Sequence, residues 1–93
     1  MNKLVEYLAE NYHPGGNSYR VVSVQEVMEG SDFTVEEIHY NAMDAYKRKY
    51  LVLSRLRVKG NRYGVDMMIP GDIDHLAITR EGIKWYNEHR KNV

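Results

Sequence analysis

Apolar positions first recur at helical spacing near the start of the chain. Leu4, Val5, Leu8 and Tyr12 share one side of a helix over residues 2–12, with Asn2 placed to cap it. His13-Pro14-Gly15-Gly16-Asn17 ends that helix, because proline disfavours helix at the residue before it and two glycines follow. Tyr19 to Val22 is a short β-prone run that predicts an edge strand. Ser23 and Glu26 then stand at capping-box spacing, and Val24, Val27 and Met28 continue at a 3.6-residue period. Gly30 sits where a residue just past a helix end takes a positive φ. After the turn Ser31-Asp32-Phe33, Thr34 and Glu37 form a second capping box. Val35, Ile38, Ala42, Ala45 and Lys49 fall on one face of a helix over about 34–49. Two capped helices joined by a glycine-containing turn predict a helix-turn-helix.

Past Lys49 the period shortens. In Tyr50 to Val58, Leu56 and Val58 alternate with Arg55 and Arg57, which predicts a strand with one apolar and one basic face. Residues 59–64 hold a turn, and Val65, Met67 and Ile69 alternate with polar neighbours as a returning strand. Pro70-Gly71-Asp72 breaks it, and Ile73 to Ile78 is a third β-prone run with Leu76 and Ile78 on one face. Thr79 caps a last helix over 80–90, whose inner stripe is Ile83, Tyr86 and either His89 or Arg90, with Trp85 alongside. The alternation of helices and strands predicts one α+β domain over residues 1–93.

Composition narrows the function classes. A chain of 93 residues has room for one small core and little for an enclosed catalytic pocket. It has no cysteine, so disulfides and Cys-based zinc sites are excluded, which suits a reducing cytoplasm. No signal-peptide pattern follows the first residues, and the apolar runs are too short to span a membrane; a cytoplasmic location with no membrane partner is the expectation. Net charge is zero, but its distribution is uneven. Residues 1–44 carry eight acids and two bases, whereas residues 45–65 carry seven bases and no acid. Such segregation makes a local positive field on a neutral chain.

Two passages resemble the winged helix-turn-helix. Asp32-Phe33-Thr34-Val35-Glu36-Glu37-Ile38-His39-Tyr40-Asn41-Ala42 looks like the recognition-helix start of small phage- and prophage-associated winged-helix proteins of unknown function. Leu76-Ala77-Ile78-Thr79-Arg80-Glu81-Gly82-Ile83-Lys84-Trp85-Tyr86 is similar to the strand-to-helix passage that closes the wing, an apolar residue, Thr, two polar residues, Gly and an aromatic-bearing helix. Together they cover about a quarter of the chain. The resemblance implies a three-helix core with a β-hairpin wing over about 51–69 and a C-terminal helix. It also implies double-stranded DNA as partner and a small transcriptional regulator as the role. One departure stands out: the family often has a small residue and glycine after the recognition helix, and Lys47-Arg48-Lys49-Tyr50 holds no glycine, so the helix runs on or passes straight into the strand.

On a recognition helix starting at Val35, the outward face holds Glu36, Glu37, Tyr40, Met43, Asp44, Lys47 and Arg48, with Asn41 at its edge. Asn41 suits bidentate contact with adenine, and Arg48 suits guanine or phosphate. Tyr40 and Lys47 suit the DNA backbone, and Arg55, Arg57, Lys59 and Arg62 would meet phosphates from the wing. Helix physics alone also explains part of this, since acids favour a first turn and bases a last turn. Tyr40 beside Met43 makes an apolar spot, so the alternative is a winged helix that binds a protein partner and no DNA. Of the eight tyrosines, Tyr46, Tyr50 and Tyr86 are expected in the core and Tyr40 and Tyr63 outside. Leu4, Leu8, Trp85 and Tyr86 either form a homodimer surface or close the core. Met67-Met68 either lines a ligand pocket or fills space, filling space being the plainer account. No phosphate loop, nucleophile elbow or zinc motif is present, and the four histidines share no helix face, so no catalysis and no cofactor are expected. Asp72-Ile73-Asp74-His75 gathers two carboxylates and an imidazole, although acidic turns beside strands are common without metal.

Overall fold

Each helix begins where a short polar side chain closes its first turn. The computed structural model describes residues 2–12, 20–55 and 70–90, with backbone alone at Arg55 and Arg90. Helix α1 spans Lys3–Asn11, and the side-chain oxygen of Asn2 accepts from the amides of Leu4 and Val5, both at 3.1 Å. Helix α2 spans Val24–Gly30, where Ser23 Oγ accepts from Glu26 N at 3.0 Å. Helix α3 spans Val35–Lys47 and carries a complete capping box: Thr34 Oγ1 accepts from Glu37 N at 3.1 Å, and Thr34 N donates to Glu37 Oε1 at 3.0 Å. Helix α4 spans Arg80–Arg90, and Thr79 Oγ1 accepts from Gly82 N at 3.0 Å. These bonds satisfy amides that have no partner within their own helix, at about 1 kcal/mol per cap.

The strands are β1 (Val22–Ser23), β2 (Leu51–Arg55) and β3 (Ile73–Ile78). They form an antiparallel sheet in the order β1-β3-β2. Among the described residues the protein is therefore an α+β domain of four helices and a three-stranded sheet. The edge strand predicted before Ser23 is only two residues long: Arg20 and Val21 stand outside the ladder, and Ser23 turns the chain into α2. The third β-prone run becomes the central strand. Leu51, Leu53 and Val22 face Ile78 and Leu76 across it, which places one row of aliphatic side chains against the helices. The expected returning strand at Val65–Ile69 with Met67-Met68, the end of the first wing strand at Leu56–Val58, and the loop 13–19 all lie outside the described residues.

The core takes Leu4, Val5 and Leu8 from α1, Val27 from α2, Ile38, Ala42 and Ala45 from α3, and Leu51, Leu76 and Ile78 from the sheet. Tyr86 closes it from α4 and donates its hydroxyl to Glu10 Oε1 at 3.0 Å. Leu4 and Leu8 are fully buried and Tyr86 nearly so, which removes them as a dimer surface and makes them the core's own closure. Of the two residues that could end the inner stripe of α4, His89 is exposed and lies against Trp85, with ring centroids 4.6 Å apart, and the side chain of Arg90 lies outside the described ones. Tyr46, expected inside, is 53% exposed. Ala42 and Ala45 already face the core, and the next position is rotated about 100° around the helix toward solvent. Among the described residues, no helix is long and apolar enough to cross a membrane.

The two helix ends differ from expectation in opposite ways. Gly30 is the last residue of α2 and does not take a positive φ; the chain leaves the helix through an extended Ser31. What Gly30 provides is room, because a Cβ there would lie 2.6 Å from the hydroxyl of Tyr7. The left-handed position falls instead at Lys49, with φ 66°. Helix α3 neither runs on nor passes straight into β2. It ends in a Schellman motif, with Tyr50 N donating to Ala45 O at 2.9 Å and Lys49 N to Tyr46 O at 3.0 Å. Left-handed backbone strains a side-chain-bearing residue that glycine would relieve. Lys49→Gly is therefore expected to raise stability by about 0.5–1 kcal/mol in urea melts; a fall would mean that the lysine side chain contributes more than its backbone costs.

Candidate functional site

Helix α3 divides cleanly into two sides. Ile38, His39, Ala42 and Ala45 are buried, and Glu36, Tyr40, Asp44, Lys47 and Arg48 are exposed. Tyr40 is 65% exposed, as expected, and Met43 beside it is half-buried. The buried histidine was not legible from the sequence. Its ring meets that of Tyr40 edge-on at 5.1 Å, and its Nδ1 has no hydrogen-bond partner among the described residues.

The polar groups of this side are already partly engaged. Asn41 Nδ2 donates to Glu37 O at 2.7 Å, and Asn2 Nδ2 donates to Asn41 O at 2.7 Å. One of the two Nδ2 hydrogens of Asn41 is thus spent within the helix, which leaves the other, with Oδ1, for a bidentate contact with adenine. Arg48 meets Asp44 one turn back through its Nε, at 3.4 and 3.5 Å from the two carboxylate oxygens. Both side chains are more than half exposed, so the pair adds little stability in water. Lys47 lies in the last turn, where a cation suits the helix dipole.

The end of α3 is clamped to the start of α4. Thr79 Oγ1 donates to Lys49 O at 2.7 Å while accepting from Gly82 N, and Thr79 N donates to Tyr50 O at 3.0 Å. Trp85 of α4 stacks on Tyr50 with ring centroids 5.2 Å apart. Between α3 and this aromatic pair lies an open depression of about 350 Å³, lined by Asn2, Tyr40, Asn41, Asp44, Arg48, Tyr50 and Trp85. Of the predicted site residues, Tyr40, Asn41 and Arg48 come together here. Lys47 lies on the same helix outside the depression. Asn2, Tyr50 and Trp85 were missed, because they join the site from positions far apart in sequence and carry no shared local pattern.

Of the basic wing residues, Arg55 stands at the end of β2, registered opposite Ile73 across a bulge. Arg57, Lys59 and Arg62 lie outside the described residues, as does Tyr63. The same bulge leaves two residues of β3 against one of β2 and brings Asp74 Oδ2 to 2.6 Å from His75 Nδ1. No three side chains of metal-ligand type gather among the described residues. No family model, no curated protein and no solved structure matches the chain.

Proposed function

We propose that this chain is a winged-helix DNA-binding protein, with α3 as the helix that enters the major groove and the β2–β3 hairpin as the wing. One observation carries the proposal. A capped helix with a solvent-exposed polar side leads through a fixed turn into β2, and β2 pairs with β3, so Arg55 stands at the end of β2 and the other bases of the run, Arg57, Lys59 and Arg62, come after it in the sequence. A major groove about 12 Å wide admits such a helix. Asn41 and Arg48 then face base edges, while Tyr40, Lys47, Arg55, Arg57, Lys59 and Arg62 hold phosphates. The role is that of a small transcriptional regulator, with no bond-making step and no cofactor. A homodimer would match two half-sites, through a surface other than the buried Leu4, Leu8 and Tyr86.

Gel shifts on random duplex test this. Five phosphate contacts give a slope of log K against log salt of about −4 to −5. Reversing the charge at Arg55 and Arg57 is expected to abolish binding. Absence of binding at low salt, or indifference to both reversals, removes the proposal. The exposure of Tyr40, together with the carboxylates Glu36, Glu37 and Asp44 on α3, favours the second reading, a protein partner seated on Tyr40 and Met43. That reading expects an interaction lost on Tyr40→Ala and insensitive to salt.

A further inference from the structure

We propose that the depression between α3 and α4 binds a nucleotide, a planar nitrogenous ring with a phosphate attached. Asp44 meets the guanidinium of Arg48 through Nε, and no described residue takes its two Nη groups. Those groups present the planar fork that fits a phosphate. Two acceptors lie on the same wall: the Asp44 carboxylate, and the side-chain oxygen of Asn41, which takes no donor from any described residue. They suit the ring and exocyclic N–H groups along a base edge. The two amides are set before any ligand arrives, since Asn2 holds the Asn41 carbonyl at 2.7 Å and Asn41 holds the Glu37 carbonyl at 2.7 Å. Tyr40, Tyr50 and Trp85 supply ring surface around this polar set. The volume of about 350 Å³ falls within the range of small-ligand sites. An ion pair and two amides in the lining disfavour an apolar occupant. A free mononucleotide and an unpaired nucleotide of a strand share this chemistry.

The inference does not depend on duplex binding, though it uses Tyr40, Asn41 and Arg48 in common with it. Trp85 is the only tryptophan of the chain, so tryptophan emission senses changes at this wall. The full chain is titrated with AMP, CMP, GMP and UMP, with a short oligodeoxyadenylate, and with inorganic phosphate and phenylalanine as controls. A saturable change is expected with mononucleotides and none with either control. Arg48→Gln should weaken binding about tenfold or more, since hydrogen bonds to charged groups are among the stronger ones. Tyr40→Ala should weaken it about fivefold or more by loss of stacking. Both positions are exposed, and far-UV circular dichroism checks that each variant folds. A change with the oligonucleotide alone supports the site and assigns it to an unpaired strand. No saturable change with nucleotide or strand overturns the inference. So does an equal change with phosphate or phenylalanine, or full affinity in both variants. Nucleotide binding without a gel shift would remove the duplex proposal and leave this one standing; the reverse result would do the opposite.

Discussion

Gly82→Ala is expected to lower stability by about 2–3 kcal/mol, where an ordinary Gly→Ala change inside a helix would raise it by about 1 kcal/mol. The difference lies in what the added methyl group meets. A Cβ at Gly82 would lie 2.5 Å from the backbone oxygen of Tyr50 and 2.8 Å from Cγ1 of Ile78. The first neighbour is main chain and the second is fully buried, so neither can rotate aside. The tyrosine carbonyl is moreover held by Thr79 N at 3.0 Å, which ties any shift to the start of α4. For a domain of this size the loss corresponds to a fall in Tm of about 10–20 °C. Thermal melts of the two proteins decide it. An unchanged or raised Tm would mean that α4 can slide away from the end of α3.

Thr79→Val is expected to cost about 2–3 kcal/mol by a different route. The substitution keeps the shape and removes the hydroxyl. Gly82 N then loses its acceptor and Lys49 O its donor, within a buried residue that links two helices. Thr79→Ser retains both bonds and should cost under about 1 kcal/mol. Urea denaturation of the pair separates hydrogen bonding from packing. A loss in Thr79→Val no larger than that in Thr79→Ser would mean that the two hydroxyl bonds contribute little to stability.

Much of the fold could be read from short-range chemistry. Asn2, Ser23, Thr34 and Thr79 announce their helices because a cap is a bond within three residues, visible as spacing. The core stripe Ile38, Ala42 and Ala45 is visible for the same reason. What escaped was set by contact between distant segments. Gly30 does end α2, but without the positive φ that its place suggests; it is small because the Tyr7 hydroxyl passes over it. The positive φ fell on Lys49, a residue type that gives no hint of it, because the main-chain bonds of Tyr50 and the clamp by Thr79 hold the chain there. For the site, the exposed face of α3 followed from helical period, and Tyr40, Asn41 and Arg48 with it. Its opposite wall, Tyr50 stacked on Trp85, depends on a pairing between residues far apart in sequence that no local period encodes.

The central place of β3 bears on how the chain acquires its shape. Val22 and Leu76 are neighbours in the sheet although more than fifty positions separate them, and Leu51 must reach Ile78 on the other side. The flanking strands have no partner in one another, so neither edge can assemble until the last third of the polypeptide arrives. Loop-closure entropy is spent before these pairings return anything, and folding is slower than for a helical bundle of equal length. The two capped helices between Ser23 and Lys47 can form early, but they wait on a late strand for the surface that fixes them.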